Sequence, residues 1–283
     1  MERKQITPWF YYDVYDKGKR TVYAPSTELK KVQRFILRHY FKEVRVSKSV
    51  RECASLHCGK KWLMKLDIKD FYNSITEEQI KNVIKEYAGS NDAEYVFKMC
   101  TLDEKLPTGA PTSPCIANLV LSEFDSNIEK ACKRLDVSYS RYMDDLFFST
   151  DGKQYLLSLV ELRVLEEFKY LGFEVNVDKI KYISGNKCQK VLGLGVNNDE
   201  PVLTKEDKRR YRAYFYNLIN PVCYSKTKKY IAKESEILGH LAYIKSVDEV
   251  YYNRICRYIF NLINKWELRD TPCLKRLIRI NNL

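Results

Sequence analysis

The 283-residue chain has only three histidines, His39, His57 and His240, and its nine cysteines include no Cys-x-x-Cys pair. A zinc site needs four ligands at tighter spacing, so a structural zinc module is not expected. Cys53, Cys58, Cys100, Cys115, Cys132, Cys188, Cys223, Cys256 and Cys273 are odd in number, which suits reduced thiols in a cytoplasm better than a disulfide framework. No stretch approaches the roughly 18 consecutive apolar residues of a membrane-spanning helix. The first residues, MERKQITPWFYYDVYDKGKR, lack the apolar core of a secretory signal. Internal repeats, low-complexity tracts and flexible linkers are missing as well. The expectation is a cytoplasmic protein without a membrane partner.

What the chain does have is positive charge and tyrosine. Lys and Arg outnumber Asp and Glu by 49 to 37, a formal net charge of +12, and there are 22 tyrosines. Such a balance favours a polyanionic partner. Aromatic faces interleaved with cations suit stacking beside phosphate neutralisation, although most of the tyrosines are expected to pack in the core with their hydroxyls reaching water. Hydrophobic residues make up 45% of the chain, enough for a substantial core.

Residues 9–24 alternate as two short strands around Lys17-Gly18-Lys19. Ser26 is placed to cap a helix whose apolar positions are Leu29, Val32, Ile36 and Tyr40. Lys30, Lys31, Arg34 and Arg38 occupy its other faces, as a solvated surface or a phosphate-tracking one. Trp62–Ile68 reads as a strand ending on Asp67, and helices are expected over 76–88 and 92–100. A proline-rich loop, Leu106–Pro114, leads into a helix to about residue 134, with Ser113 as N-cap and Pro114 in the first turn. Two strands, 137–141 and 146–149, fold around Tyr142-Met-Asp-Asp145. A helix over 153–170 and two short strands within 172–197 follow. From Thr204 onward the pattern is helical, basic and tyrosine-rich, with breaks near Pro221 and Pro272.

Two strand ends thus carry three acids. Bare carboxylates about 4 Å apart repel by roughly 4 kcal/mol at an effective dielectric near 20, and a divalent cation reverses that sign. Hard oxygen ligands suit Mg²⁺, and a pair of such ions can serve phosphoryl transfer. An Asp-Asp turn by itself is more often solvated turn chemistry; its ordered neighbours are what distinguish this one.

Those neighbours resemble the reverse transcriptase family over nearly the whole chain. Asp67-Ile-Lys-Asp-Phe-Tyr72 is similar to its first palm motif, Leu106–Pro114 to its template-and-nucleotide loop, and Tyr142-Met-Asp-Asp145 to its Tyr-x-Asp-Asp hairpin. Phe173–Lys179 resembles the motif bearing a lysine near the triphosphate, and Val191-Leu-Gly-Leu194 the primer-grip turn. The resemblance implies an α+β right-hand polymerase with fingers (1–60 and 76–113), a palm whose antiparallel sheet packs on helices (61–75 and 114–203), and a helical thumb (204–283). It implies catalytic and metal-binding roles for Asp67, Asp144 and Asp145, with two Mg²⁺ ions and Mn²⁺ as a substitute. Arg20, Tyr72, Gly109 and Lys179 would handle the deoxynucleoside triphosphate, Tyr72 as the steric gate against a 2′-hydroxyl. Thr108 stands where the family usually has glutamine, so a glutamine contact to the base pair is not carried over.

The segment Pro25–Leu37 and Cys53-Ala-Ser-Leu-His57 resemble bacterial retron enzymes, with Cys53 in place of an asparagine and Leu192 in place of a threonine in Val191-Leu-Gly193. That resemblance implies a structured noncoding RNA as partner, held through His57, Val191, Leu192 and Gly193. It also implies an RNA–DNA hybrid along Lys205, Arg209, Arg210 and Arg212, RNA-linked single-stranded DNA (msDNA) as product, and antiphage defence with a separate effector protein. No ribonuclease H, protease, endonuclease or integrase domain is expected beyond the polymerase and its thumb. Three alternatives stay open: another bacterial reverse transcriptase (group II intron-like, diversity-generating or abortive-infection type), a catalytically idle RNA-binding scaffold, and an RNA-dependent RNA polymerase, which Tyr72 disfavours.

Overall fold

The computed structural model describes residues 2–18, 20–44, 48–219 and 234–266, and the chain divides into two compact units. The first comprises residues 1–49 and 60–186, the second residues 50–59 and 187–283. This division follows packing density alone. The three-part division by role expected from the sequence is a separate matter and stays a proposal. Among the described residues no helix is long and apolar enough to cross a membrane.

In the first unit, β1 (Glu2–Thr7), β2 (Phe10–Lys17) and β3 (Arg20–Pro25) form an antiparallel sheet in the order β1-β2-β3. The strand β1 is not visible in the sequence, because its polar run ERKQIT has no apolar alternation and stays largely exposed. α1 (Thr27–Tyr40) starts as expected, with the Ser26 hydroxyl accepting from Leu29 N at 3.3 Å. α2 (Val50–Ser55) belongs to the second unit. α3 (Phe71–Ser74) is a single turn, and α4 (Glu77–Cys100) joins the two helices expected over 76–100 across a kink at Gly89, whose φ is 71°. Thr76 and Gln79 cap α4 reciprocally, at 3.2 and 2.9 Å.

The expected helix to residue 134 is two, α5 (Ser113–Val120) and α6 (Ser122–Arg134), separated at Leu121. Ser113 is the first helical residue and not the cap, because its hydroxyl turns back to donate to Pro107 O at 2.8 Å. Thr112 takes the cap position without a side-chain bond.

The central sheet has the order β5-β6-β4-β7, built from β4 (Trp62–Asp67), β5 (Ser138–Tyr142), β6 (Asp145–Thr150) and β7 (Lys181–Ser184). Met64 pairs with Phe148 and Leu66 with Leu146, and these residues share one sheet face by strand alternation. They join the core with Phe124 of α6 and Phe168 of α7 (Tyr155–Leu171). Lys65 pairs with Phe147 and Asp67 with Asp145 on the opposite face. A one-residue slip would exchange the acids and the apolar set between the two faces, so the register is strongly specified.

The β5–β6 hairpin is anchored from outside the sheet. The Arg141 guanidinium, whose side chain is 5% exposed, reaches Asp125 of α6 at 2.8 and 2.5 Å, Asn118 Oδ1 at 2.8 Å and Met143 O at 3.0 Å. Tyr139 donates to the same Asp125 at 2.7 Å. Burial, then the Asp125 charge, holds that phenol well above its ordinary range, so it stays a donor.

In the second unit, β8 (Lys190–Val191), β9 (Leu194–Gly195) and β10 (Val202–Leu203) form a small sheet in the order β10-β9-β8. They pack with α2, α8 (Lys205–Ile219), α9 (Glu234–Val247) and α10 (Glu249–Lys265). Buried Asp248 caps α10 by accepting from Tyr251 N at 2.8 Å, and it also accepts from Leu203 N at 3.2 Å and pairs with Lys208 at 2.8 Å. The breaks expected near Pro221 and Pro272 lie outside the described residues.

Breaking a buried pair by removing one partner costs about 3–5 kcal/mol. Arg141→Met is expected to lower the melting temperature by roughly 10 °C, measured by calorimetry or circular dichroism. The double variant Arg141→Met/Asp125→Leu should recover part of that loss, since no charge is left stranded. A single variant that melts like wild type would show that the bracket does not hold the hairpin.

Candidate active site

Two chain segments converge on the end of β4. Ile68 N donates to Asp144 O at 2.9 Å, which ties the hairpin turn to the strand. Asn176 N donates to Asp67 O at 2.8 Å and Lys69 N to Glu174 O at 2.8 Å, so residues 174–176 run alongside and deliver the 3-10 turn Val177–Lys179. The hairpin turn is two residues long, Met143 and Asp144, because Tyr142 pairs directly with Asp145. Met143 holds a φ of 55°, in the left-handed region that non-glycine residues rarely occupy.

Above this junction lies a cleft of about 730 Å³. Its wall includes Asp67, Asp144, Tyr72, Lys179, Asn176 and the loop residues Leu106, Pro107 and Thr108. Asp67 is nearly buried, at 8% exposure, and Lys179 Nζ lies 2.8 Å from its Oδ2. Half-buried Tyr72 has its phenol pushed up to about 12, first by burial and then by the Asp144 charge, so it stays protonated at any working pH. Asp145 is not part of the wall. Its carboxylate is held at 2.7 Å by Lys65, the residue diagonally across the β4–β6 ladder, whose Nζ also stands 5.3 Å from the Phe147 ring centre. Lys65 carries no motif in the sequence. The register, which sets Lys65 opposite Phe147 and Asp67 opposite Asp145, is what reveals it.

Among the described residues no three His, Cys, Asp or Glu side chains form a ready metal cage. The donor set still fits Mg²⁺, which usually binds through one or two carboxylates plus substrate phosphates and not in an all-protein cage. Asp67 and Asp144, on one cleft wall, are such a pair.

The other expected site residues fall in different places. Arg20 pairs with Lys17 at the start of β3, and its side chain lies outside the described residues. Gly109 has a φ of 116°, and a Cβ there would meet Tyr23 O at 2.7 Å. The close backbone approach that this glycine permits is therefore to β3, where Tyr23 N also donates to Thr108 O at 2.8 Å.

In the second unit, His57 and Val191 are fully buried, so any part they have in holding RNA passes through the surface they support and not through their own side chains. Leu192 and Gly193 form the two-residue turn between β8 and β9, with φ of 49° and 87°, the double positive φ of a type I′ hairpin. On α8, Lys205, Arg209 and Arg212 are exposed and fall on one stripe with Tyr216, while Arg212 lies 4.7 Å from the Tyr258 ring centre. Arg210 is off that stripe and pairs with Asp207 at 2.8 Å.

Residues 15–196 match the family model for reverse transcriptase (RNA-dependent DNA polymerase). Among curated proteins, the chain is 28% identical to the retron Ec86 reverse transcriptase of Escherichia coli, with 91% of this chain and 83% of that protein covered. It is 29% identical to the retron Ec73 reverse transcriptase of Escherichia coli, covering 88% and 85%. With the retron Mx65 reverse transcriptase of Myxococcus xanthus it shares 28% identity, and there the aligned region takes up 85% of this chain but only 61% of the relative. Among solved structures, apo telomerase from Candida tropicalis superposes with a TM-score of 0.51 at 13% identity, covering 89% of this chain and 61% of that one, a likeness of fold alone. The chain belongs to the reverse transcriptase family, the RNA-dependent DNA polymerases, and its relatives place it with the retron type.

Proposed function

We propose that this polymerase copies a structured noncoding RNA into single-stranded DNA that remains joined to that RNA, as msDNA, and that it serves antiphage defence together with a separate effector protein. The observation that carries the catalytic part is the placement of Asp67, at the end of β4, and Asp144, in the β5–β6 turn, on the wall of one cleft with Tyr72 and Lys179. The retron relatives support the choice of template and product.

In this reading Asp67 and Asp144 hold two divalent cations, Mg²⁺ or Mn²⁺, and Asp145 completes the acidic cluster. Bound there, the cations supply Lewis acidity for attack of a 3′-hydroxyl on the α-phosphate of a deoxynucleoside triphosphate. Lys179, already in reach of Asp67, offers a mobile ammonium to the departing pyrophosphate. The Tyr72 ring lies beneath the incoming sugar and leaves no room for a 2′-hydroxyl. Arg20 clamps the triphosphate by charge-assisted hydrogen bonds, and Gly109 keeps the Leu106–Pro114 loop close to the nucleotide. Lys205, Arg209, Arg210 and Arg212 follow the backbone of the RNA–DNA hybrid, whose near-A-form shape is read through phosphates and sugars. His57 and the Val191–Gly193 turn shape the surface that receives the noncoding RNA.

Incubated with the RNA encoded beside its gene, the purified protein is expected to make DNA whose 5′ end is branched from an internal guanosine 2′-hydroxyl. Denaturing gels before and after ribonuclease and debranching treatment read this out. Linear DNA from any added primer, with no branched product, would overturn the retron reading and leave the polymerase reading intact.

Asp144→Asn should reduce synthesis at least a thousand-fold while RNA affinity stays within about two-fold. Asp145→Asn should lose less, because that carboxylate is engaged by Lys65 and lies off the cleft wall. Equal losses in single-turnover rate would remove that distinction. Tyr72→Ala is expected to raise ribonucleotide use relative to deoxynucleotide use by at least ten-fold in kcat/KM. An unchanged ratio would falsify the gate.

A further inference from the structure

The outer face of α1 takes no part in the reading above. Lys30, Lys31, Arg34 and Arg38 are all exposed on it. Lys31, Arg34 and Arg38 follow one another at helical spacings of three and four, and Lys30 lies one turn before Arg34. Among the described residues none of the four has a carboxylate partner. The helix carries one acid, Glu28, in its first turn. Like charges a turn apart destabilise a helix, and Lys30 and Lys31 stand too near the N-terminus to gain from the macrodipole. The arrangement therefore weakens α1, and among the described residues no ion pair of these four offsets it.

Along one edge of this stripe sits an apolar ring. Phe35 is 55% exposed and lies nearly parallel to His39 one turn on, with ring centres 5.3 Å apart and planes 11° from each other. His39 in turn meets Tyr40 edge-on at 4.7 Å, so the platform is braced from below. The inward face of the helix is committed elsewhere: Leu29 and Ile36 are buried, and Gln33 donates to Tyr12 at 2.7 Å and to Met99 O at 2.8 Å. Among the described residues Phe35 is not part of the core.

Unpaired cations flanking an exposed flat ring are the two components of a sequence-tolerant single-strand site, backbone neutralisation and base stacking. From Lys31 to Arg38 the helix rises about 10 Å, roughly three nucleotides of backbone. We infer that the outer face of α1 binds a single-stranded stretch of nucleic acid, with Lys31, Arg34 and Arg38 on successive phosphates and Phe35 stacked on a base. A membrane surface fits less well, because the face offers one aromatic ring and not an apolar stripe.

The test compares the full chain with two variants, Lys31→Gln/Arg34→Gln/Arg38→Gln and Phe35→Ala, by fluorescence anisotropy with 20-nucleotide RNA and DNA across a salt series. The triple variant is expected to bind at least ten-fold more weakly at low salt, with a slope of log affinity against log salt shallower by about 2. Phe35→Ala should weaken binding about five-fold or more with the slope unchanged. Loss with RNA alone, or with RNA and DNA alike, supports the site and names the strand it takes. Melting temperatures at or above that of wild type confirm that both variants fold, and extension of a primer annealed to a short RNA template should proceed at the wild-type rate at saturating template. Wild-type affinity and slope in both variants overturn the inference, as does a loss confined to phosphatidylserine vesicles. A wild-type protein that showed these binding differences yet made no DNA would sink the polymerase proposal and leave this one standing.

Discussion

The antiparallel pairing of β4 with β6 is the constraint on which the site depends. It sets Asp67 opposite Asp145, and the bond from Ile68 N to Asp144 O continues the alignment past the strand end. Directly paired residues of such a ladder stand about 5 Å apart at Cα, and like charges placed there repel. The pairing survives because the other face of the same two strands buries Met64, Leu66, Leu146 and Phe148 in the main core. Each such side chain contributes about 1.5–3 kcal/mol on burial, more in sum than the roughly 4 kcal/mol by which two such charges repel.

Charge is balanced locally as well as by the core. Lys179 meets Asp67 and Lys65 meets Asp145, each from a neighbouring backbone position that the sheet register or the 3-10 turn dictates. Behind the hairpin, Arg141 joins the β5 strand end, the Met143 carbonyl and two residues of α5 and α6 through a single buried guanidinium. A left-handed Met143 is thus held in a strained turn by fixed neighbours and not by its own preference.

Much of this is legible in the sequence where a local rule and a motif coincide. Asp67 ends an alternating strand, Tyr142–Asp145 interrupts two apolar strands, and Ser26 and Thr76 announce helix starts with short-range chemistry that tertiary packing does not override. What stays hidden depends on contacts distant in sequence. Lys65 looks like any polar strand position until its cross-strand neighbours are known. Arg141 reads as a surface residue of a short strand, although its partners lie 16 and 23 residues away. β1 is invisible because a polar edge strand has no alternation to detect. The break at Leu121 is hidden because apolar positions run on through it. Only resemblance singles out His57 and Val191, and their burial shows that a motif position need not be a surface position.

The seam between Gly109 and Tyr23 bears on how the cleft can deform. A hydrogen bond and a gap too small for a methyl group weld the proline-rich loop to β3, the strand that begins at Arg20. Loop and ribbon form one mechanical piece, so a tilt of the N-terminal sheet carries Thr108 and its neighbours with it. On this side the cleft widens by hinging that piece as a whole, with the glycine as its rivet.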